Sequence, residues 1–152
     1  MEYVLQLLTN KVLIGTVAAW FIAQLLKVII DTAKNGFSAE RLTGGGGMPS
    51  SHSATVTALV TSTAIVYGFG GFEFVMALFF AIIVIYDARG VRLETQRQSE
   101  MLNKINDERE ASGKGRLYNK KYREKLGHTI PEIIAGLAIG LIVGIFVANL
   151  PL

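Results

Sequence analysis

Only two histidines occur in this chain, His52 and His128, and each stands at the polar edge of a long apolar segment. His52 closes the stretch Gly46-Gly47-Met48-Pro49-Ser50-Ser51-His52-Ser53-Ala54, which sets glycines, hydroxyls and an imidazole just ahead of an uncharged run. Glycines let backbone N–H groups converge on a phosphate, Pro49 fixes the turn, and Ser50 or Ser51 can cap the helix that follows, whose N-terminal dipole favours negative charge. An imidazole placed there can exchange a proton with a bound phosphate. A flexible loop with an N-cap and a surface histidine is the plainer reading of the same residues. His128 opens the last apolar segment as Gly127-His128-Thr129-Ile130-Pro131-Glu132. Proline is tolerated in a first helical turn, so His128 and Glu132 fall at i, i+4 on one face, where the carboxylate can hold the ring in one tautomer. That is what a basic or nucleophilic histidine needs, although a charged helix start would look the same.

The elements that must position these groups are apolar. Hydrophobic residues make up 51% of the sequence and the mean hydropathy is +0.41, while the charges gather into a few stretches, as in a small integral membrane protein. Four helical spans are expected, at about 12–31, 51–70, 72–90 and 129–150, in one all-α membrane domain covering 1–152. The second and third are short for a hydrocarbon core unless polar flanks lie inside the protein. Residues 91–127 form the long loop, beginning with a mostly solvated helix over Arg92–Asn106 whose apolar residues are Leu93, Met101, Leu102 and Ile105, and broken at Ala111-Ser112-Gly113-Lys114-Gly115. Met1–Lys11 lacks a basic start and a small-residue cleavage site, so a cleaved signal peptide is not expected. With no cysteine, thiolate nucleophiles, thiolate metal sites and disulfides are excluded.

Four spans put both termini on one side of the membrane and the 32–50 and 89–127 loops on the other. Thirteen of the 15 basic residues fall in those two loops, so the loops, and with them His52, Arg92 and His128, are expected to face the cytoplasm. The run Lys120-Lys121-Tyr122-Arg123-Glu124-Lys125 serves as a topology signal that meets anionic lipid, or supplies a side chain to a bound phosphate. Within the first span, Gln24, Lys27 and Asp31 share a helix face near the cytoplasmic end. Lys27 is a candidate anion ligand there, the other reading being a side chain that snorkels to the interface. Asp87 can pair with Arg89, Arg92 or Lys27, and the Arg92 guanidinium can grip a phosphate through two N–H groups.

Together these residues carry a resemblance. Pro49-Ser50-Ser51-His52 resembles the central Pro-Ser-Gly-His motif of the type 2 phosphatidic acid phosphatase superfamily, and His128 with Glu132 resembles its last motif, a histidine followed four residues later by Asp. Ala23 to Lys27, Gly46 to Ala54, Asp87-Ala88-Arg89-Gly90-Val91-Arg92, and Leu126-Gly127-His128 with Pro131-Glu132 resemble the short, divergent membrane branch of that superfamily, from about residue 20 to 145. The resemblance implies a phosphohistidine mechanism without a metal or other cofactor. His128 would attack phosphorus, Glu132 would orient it, and His52 would protonate the leaving oxygen. Backbone amides around Ser50 and Ser51, with Gly47 and the Ser51 hydroxyl, would hold phosphate oxygens, balanced by Lys27, Lys34, Arg41 and Arg92 and supported by Gln24, Asp87 and Arg89. Lys34 and Arg41 fit the spacing of the usual first motif, with Leu42 where Pro is customary. The arginine of the usual third motif would fall at Tyr122, and Arg92 is expected to take its role.

The expected function is therefore hydrolysis of a phosphomonoester or pyrophosphate of a long-chain lipid, such as a polyprenyl pyrophosphate or a phosphatidate-like molecule. Binding or translocating a phosphorylated lipid without turnover is the alternative. Expected partners are the lipid phosphate and membrane lipids, with no nucleic acid, and a homodimer that covers polar helix faces.

Overall fold

A computed structural model describes residues 1–36 and 46–151. The described residues form an all-helical bundle in the order α1 (Glu2–Leu8), α2 (Lys11–Asn35), α3 (Ser51–Tyr67), α4 (Phe72–Arg89), α5 (Val91–Ala111) and α6 (Ile130–Ala148). Three helical stretches are long and apolar enough to cross a membrane: Lys11–Asn35, Phe72–Ala111 taken through the interruption at Gly90, and Ile130–Ala148. Their outward faces carry Phe21, Ile29, Phe79, Ile83, Ile142 and Phe146, all exposed, which is the surface that a hydrocarbon solvent requires. The fourth expected span, α3, has 17 residues, about 25 Å of helix at 1.5 Å per residue and short of a roughly 30 Å hydrocarbon core.

Position in the bundle explains that shortness. α3 packs against α2, α4 and α6, and it buries Ser53, Ala54, Val56, Ala58, Ser62 and Thr63. A helix surrounded by protein can carry hydroxyls, provided each finds a partner, and among the described residues no buried side-chain nitrogen or oxygen lacks one. Small side chains also bring α3 and α6 into close contact. Gly136, Gly140 and Gly144 form one stripe on α6, and an added Cβ at Gly136 or Gly140 would strike the Ser50 or Ala54 carbonyl oxygen. At Gly144 it would lie 2.9 Å from the Thr61 Cβ. Close backbone approach through small residues substitutes for the hydrophobic drive that lipid surroundings remove.

The ends of the helices follow local chemistry. Ser50 caps α3 by accepting from the Ser53 N–H at 3.2 Å, and Asn10 caps α2 by accepting from the Leu13 N–H at 3.0 Å. Gly90 interrupts the helix between α4 and α5. α5 is mostly exposed, as a solvated helix is expected to be, with one buried polar strip of Ser99, Asn103 and Asn106, while Met101, Leu102 and Ile105 are exposed. The polar face is inside because residues 117–127 return along it and use its amides as hydrogen-bond partners.

Candidate functional site

His128 is fully buried where the returning segment meets the bundle, immediately before α6. Its backbone N–H donates to the Ala88 carbonyl at 3.1 Å, beside the Gly90 interruption. Glu132, one turn into α6, fixes the ring. Its Oε2 lies 3.1 Å from His128 Nδ1 and also accepts from the Thr129 N–H at 3.0 Å. With the carboxylate accepting, Nδ1 carries the proton, and in the neutral ring Nε2 keeps its lone pair. That Nε2 faces His52 Nδ1 at 3.5 Å, with the two ring centroids 5.7 Å apart.

His52 arrives from the first turn of α3, and the register between α3 and α6 is what brings it there. The Ser50 N–H donates to the Glu132 carbonyl at 2.9 Å, so the start of one helix is bonded to the start of the other. Gly136 lets the two backbones close on each other just beyond that bond. Ser51, on the same turn as His52, points its Oγ at Lys27 Nζ, 3.4 Å away. Lys27 is 4% exposed, a burial that a snorkelling side chain would not show, and its stem packs beside Gly47, whose φ of 106° is one that a side chain rarely tolerates. Asp87 pairs with Arg92, Oδ2 to Nε at 2.5 Å.

The structure thus collects His52, His128, Glu132, Lys27, Ser51, Gly47, Asp87 and Arg92 at one end of the bundle. Other expected residues are placed differently. Ser50 was expected to hold phosphate oxygens, but its N–H is spent on Glu132 and its Oγ accepts from the Ser53 N–H and lies 3.0 Å from the Ser53 Oγ, so it builds the helix start instead. Arg89 is exposed and borders an outward-facing apolar cleft with Ile82, Ile85 and Tyr86, away from the histidine pair. Gln24 is half-buried on α2. Lys34 is exposed and lines a cavity of about 270 Å³ whose walls also include Asp31, Gly47, Gln96, Lys125 and Glu132. Lys125 is the residue of the basic run that reaches this region, where it pairs with Asp31 at 3.6 Å. Arg41 lies outside the described residues.

Two contributions had gone unread in the sequence. One is the glycine stripe at 136, 140 and 144, visible as a four-residue repeat in the last apolar segment. The other is the amide face of α5, in which Gln96, Asn103 and Asn106 recur at i, i+7 and i+10. Among the described residues, no group of three or more His, Cys, Asp or Glu side chains is arranged to hold a metal ion.

A lone pair on a buried, carboxylate-held imidazole, facing a second imidazole beside a buried ammonium, can receive and release a phosphoryl group. No solved structure matches the chain. It is 35% identical over 156 residues to the uncharacterized membrane protein YuiD of Bacillus subtilis (strain 168), an alignment covering 95% of this chain and 98% of that protein. Residues 8–143 match the model of the Divergent PAP2 family, a span that holds both histidines, Glu132 and Lys27, and the chain belongs to that family.

Proposed function

We propose that this membrane protein is a lipid-phosphate phosphatase, hydrolysing a phosphomonoester or pyrophosphate of a long-chain lipid through a phosphohistidine on His128. The observation that carries the reading is a buried His128 held by Glu132 at Nδ1, with His52 3.5 Å from its Nε2 and the Lys27 and Ser51 pair one residue from His52. The lipid phosphate lies with its nonbridging oxygens toward Lys27 Nζ, the Ser51 hydroxyl and the Arg92 guanidinium. The His128 Nε2 lone pair attacks phosphorus, the bond from phosphorus to the leaving oxygen breaks, and protonated His52 gives its proton to that oxygen. Glu132 stabilises the positive ring that forms. Water then attacks phosphorus with His52 taking its proton, the P–N bond breaks, and inorganic phosphate leaves with His128 restored. Positioning and fixed charge supply most of the acceleration in such a transfer.

The apolar outer faces suit a substrate whose tail stays in lipid while its headgroup enters the polar end of the bundle. The concentration of basic residues around that end supports a cytoplasmic site. The test is phosphate release by purified protein in nanodiscs, with a chelator present, over polyprenyl pyrophosphates, phosphatidate and phosphatidylglycerophosphate. Turnover that disappears in both His52→Ala and His128→Ala supports the phosphatase. Lipid-phosphate binding without release, by protein shown to be folded, replaces it with a binding or translocating role.

A further inference from the structure

We propose that Gln96 of α5 is the positioning residue for the nucleophile, acting through the Leu126 and Gly127 amides just ahead of His128. The inference rests on the phosphatase reading above and adds to it a residue from outside the four motifs. Residues 112–127 must travel the length of α5, a helix of 21 residues and about 31 Å, to reach the start of α6. Three amide side chains on one face of α5 hold that return. Asn106 accepts from the Leu117 N–H at 2.7 Å and donates to the Tyr118 carbonyl at 2.9 Å. Asn103 accepts from the Tyr122 N–H and donates to the Tyr122 carbonyl, both at 2.9 Å, and donates to Glu124 at 2.7 Å. Gln96 Oε1 accepts two consecutive N–H groups, those of Leu126 at 3.2 Å and Gly127 at 3.3 Å.

Gln96 differs from the two asparagines in what it holds. Its two bonds end one residue short of His128, and the next two N–H groups are held as well, that of His128 by the Ala88 carbonyl and that of Thr129 by Glu132. Four consecutive amides from 126 to 129 therefore have fixed acceptors, leaving the backbone under the imidazole little freedom. Gly127 lies so near Leu93 that an added Cβ would strike the Leu93 backbone, so the segment sits directly on the first turn of α5. Gln96 is itself oriented, because its Nε2 donates to Glu100 at 2.9 Å and so directs Oε1 at the two amides. Without that acceptor, two N–H groups lose their partner and the His128 ring shifts against His52 and Lys27. A shift of about 1 Å in a reacting group costs on the order of 10²-fold in rate.

The experiment compares Gln96→Leu, the exchanged pair Gln96→Glu with Glu100→Gln, and Asn106→Ala in nanodiscs. Three readouts are taken: amide hydrogen exchange along 117–128, carbethoxylation of His128 by diethyl pyrocarbonate mapped by mass spectrometry, and kcat and KM for phosphate release. Gln96→Leu is expected to raise exchange at 126 and 127 and to lower kcat by about 10- to 100-fold with KM changed by no more than about twofold. The exchanged pair, which restores an acceptor at 96 and a donor at 100, is expected to recover kcat to within about threefold of the native chain. Asn106→Ala is expected to raise exchange at 117 and 118 and leave kcat within about twofold. Equal kcat in Gln96→Leu and the native chain would overturn the proposal, as would equal losses in Gln96→Leu and Asn106→Ala. Should the native chain release no phosphate from any lipid, the phosphatase reading fails and carbethoxylation decides this one. A changed His128 rate in Gln96→Leu, recovered by the exchanged pair and absent in Asn106→Ala, upholds the positioning role, and an unchanged rate in all three removes it.

Discussion

His52 Nδ1 stands 3.5 Å from His128 Nε2 although 76 positions separate the two residues in the chain. The juxtaposition is set by backbone contacts, the Ser50 N–H to the Glu132 carbonyl and Gly136 against Ser50, which fix where α3 begins relative to α6. The two imidazoles therefore have distinct neighbours. His128 is bound to Glu132 through Nδ1, whereas His52, among the described residues, has no carboxylate on its ring and meets His128 through its own Nδ1.

That asymmetry predicts different losses. His128→Ala is expected to remove phosphate release entirely, since no bond to phosphorus can form. His52→Ala is expected to lower kcat by about 10²- to 10⁴-fold, the range of a lost general acid, with lipid-phosphate binding retained. Initial rates and binding isotherms on the same nanodisc preparations separate the two, and equal binding loss in both variants would make His52 a ligand instead of an acid.

Lys27 and Lys34 lie on the same helix but differ in surroundings. Lys27 is buried with Ser51 as its neighbour, while Lys34 is exposed at the rim of the cavity. Lys27→Met is expected to weaken lipid-phosphate affinity by about 10- to 100-fold, the value of a charge-assisted hydrogen bond. Lys34→Met is expected to change it by less than about threefold, as exposed charges do. Titration of each variant with a lipid phosphate checks the ranking, and a larger loss at Lys34 would reverse it.

The contact between α3 and α6 predicts where the fold is fragile. Gly140→Ala puts a methyl group against the Ala54 carbonyl and is expected to destabilise by about 1–3 kcal/mol, as overpacking does. Gly70→Ala meets nothing within 4 Å and is expected to stay within about 0.5 kcal/mol of the native chain. Unfolding midpoints in detergent test the pair.

Much of this was legible in the sequence. Apolar runs and their polar edges located the long helices, because hydrocarbon demands continuous apolar stretches. The i, i+4 spacing of His128 and Glu132 put them on one helix face, and the isolated Lys27 in an apolar segment marked a costly group in need of a task. Ser50 was open to two roles, because a cap and a phosphate ligand share one residue type, and its bond from the Ser53 N–H shows the cap. The solvated character of α5 was legible from its charges, but its buried polar strip was not, because the element covering it is a length of backbone, which is satisfied by Asn103 and Asn106. Arg89 and Arg92 are close in sequence, yet the interruption at Gly90 sends one toward the outer surface and the other to Asp87.

The distribution of basic residues predicts the orientation, which labelling can test. The chain has no cysteine, so single cysteines at Ser112, just beyond α5, and at Gly70, in the turn between α3 and α4, can be labelled cleanly. An impermeant maleimide applied to intact cells is expected to label position 70 and to reach position 112 only after permeabilisation. The opposite pattern would put the site on the outer face.

The most direct test of the central claim is to quench turnover of a phosphorus-labelled lipid phosphate in alkali and look for label on the protein. A phosphohistidine intermediate predicts an acid-labile, base-stable phosphoryl group that maps to His128, is absent in His128→Ala, and accumulates when His52 is replaced on a substrate whose leaving group needs no protonation. Label of equal amount in His128→Ala, or rapid phosphate release from the native chain with none trapped on any histidine, would contradict it.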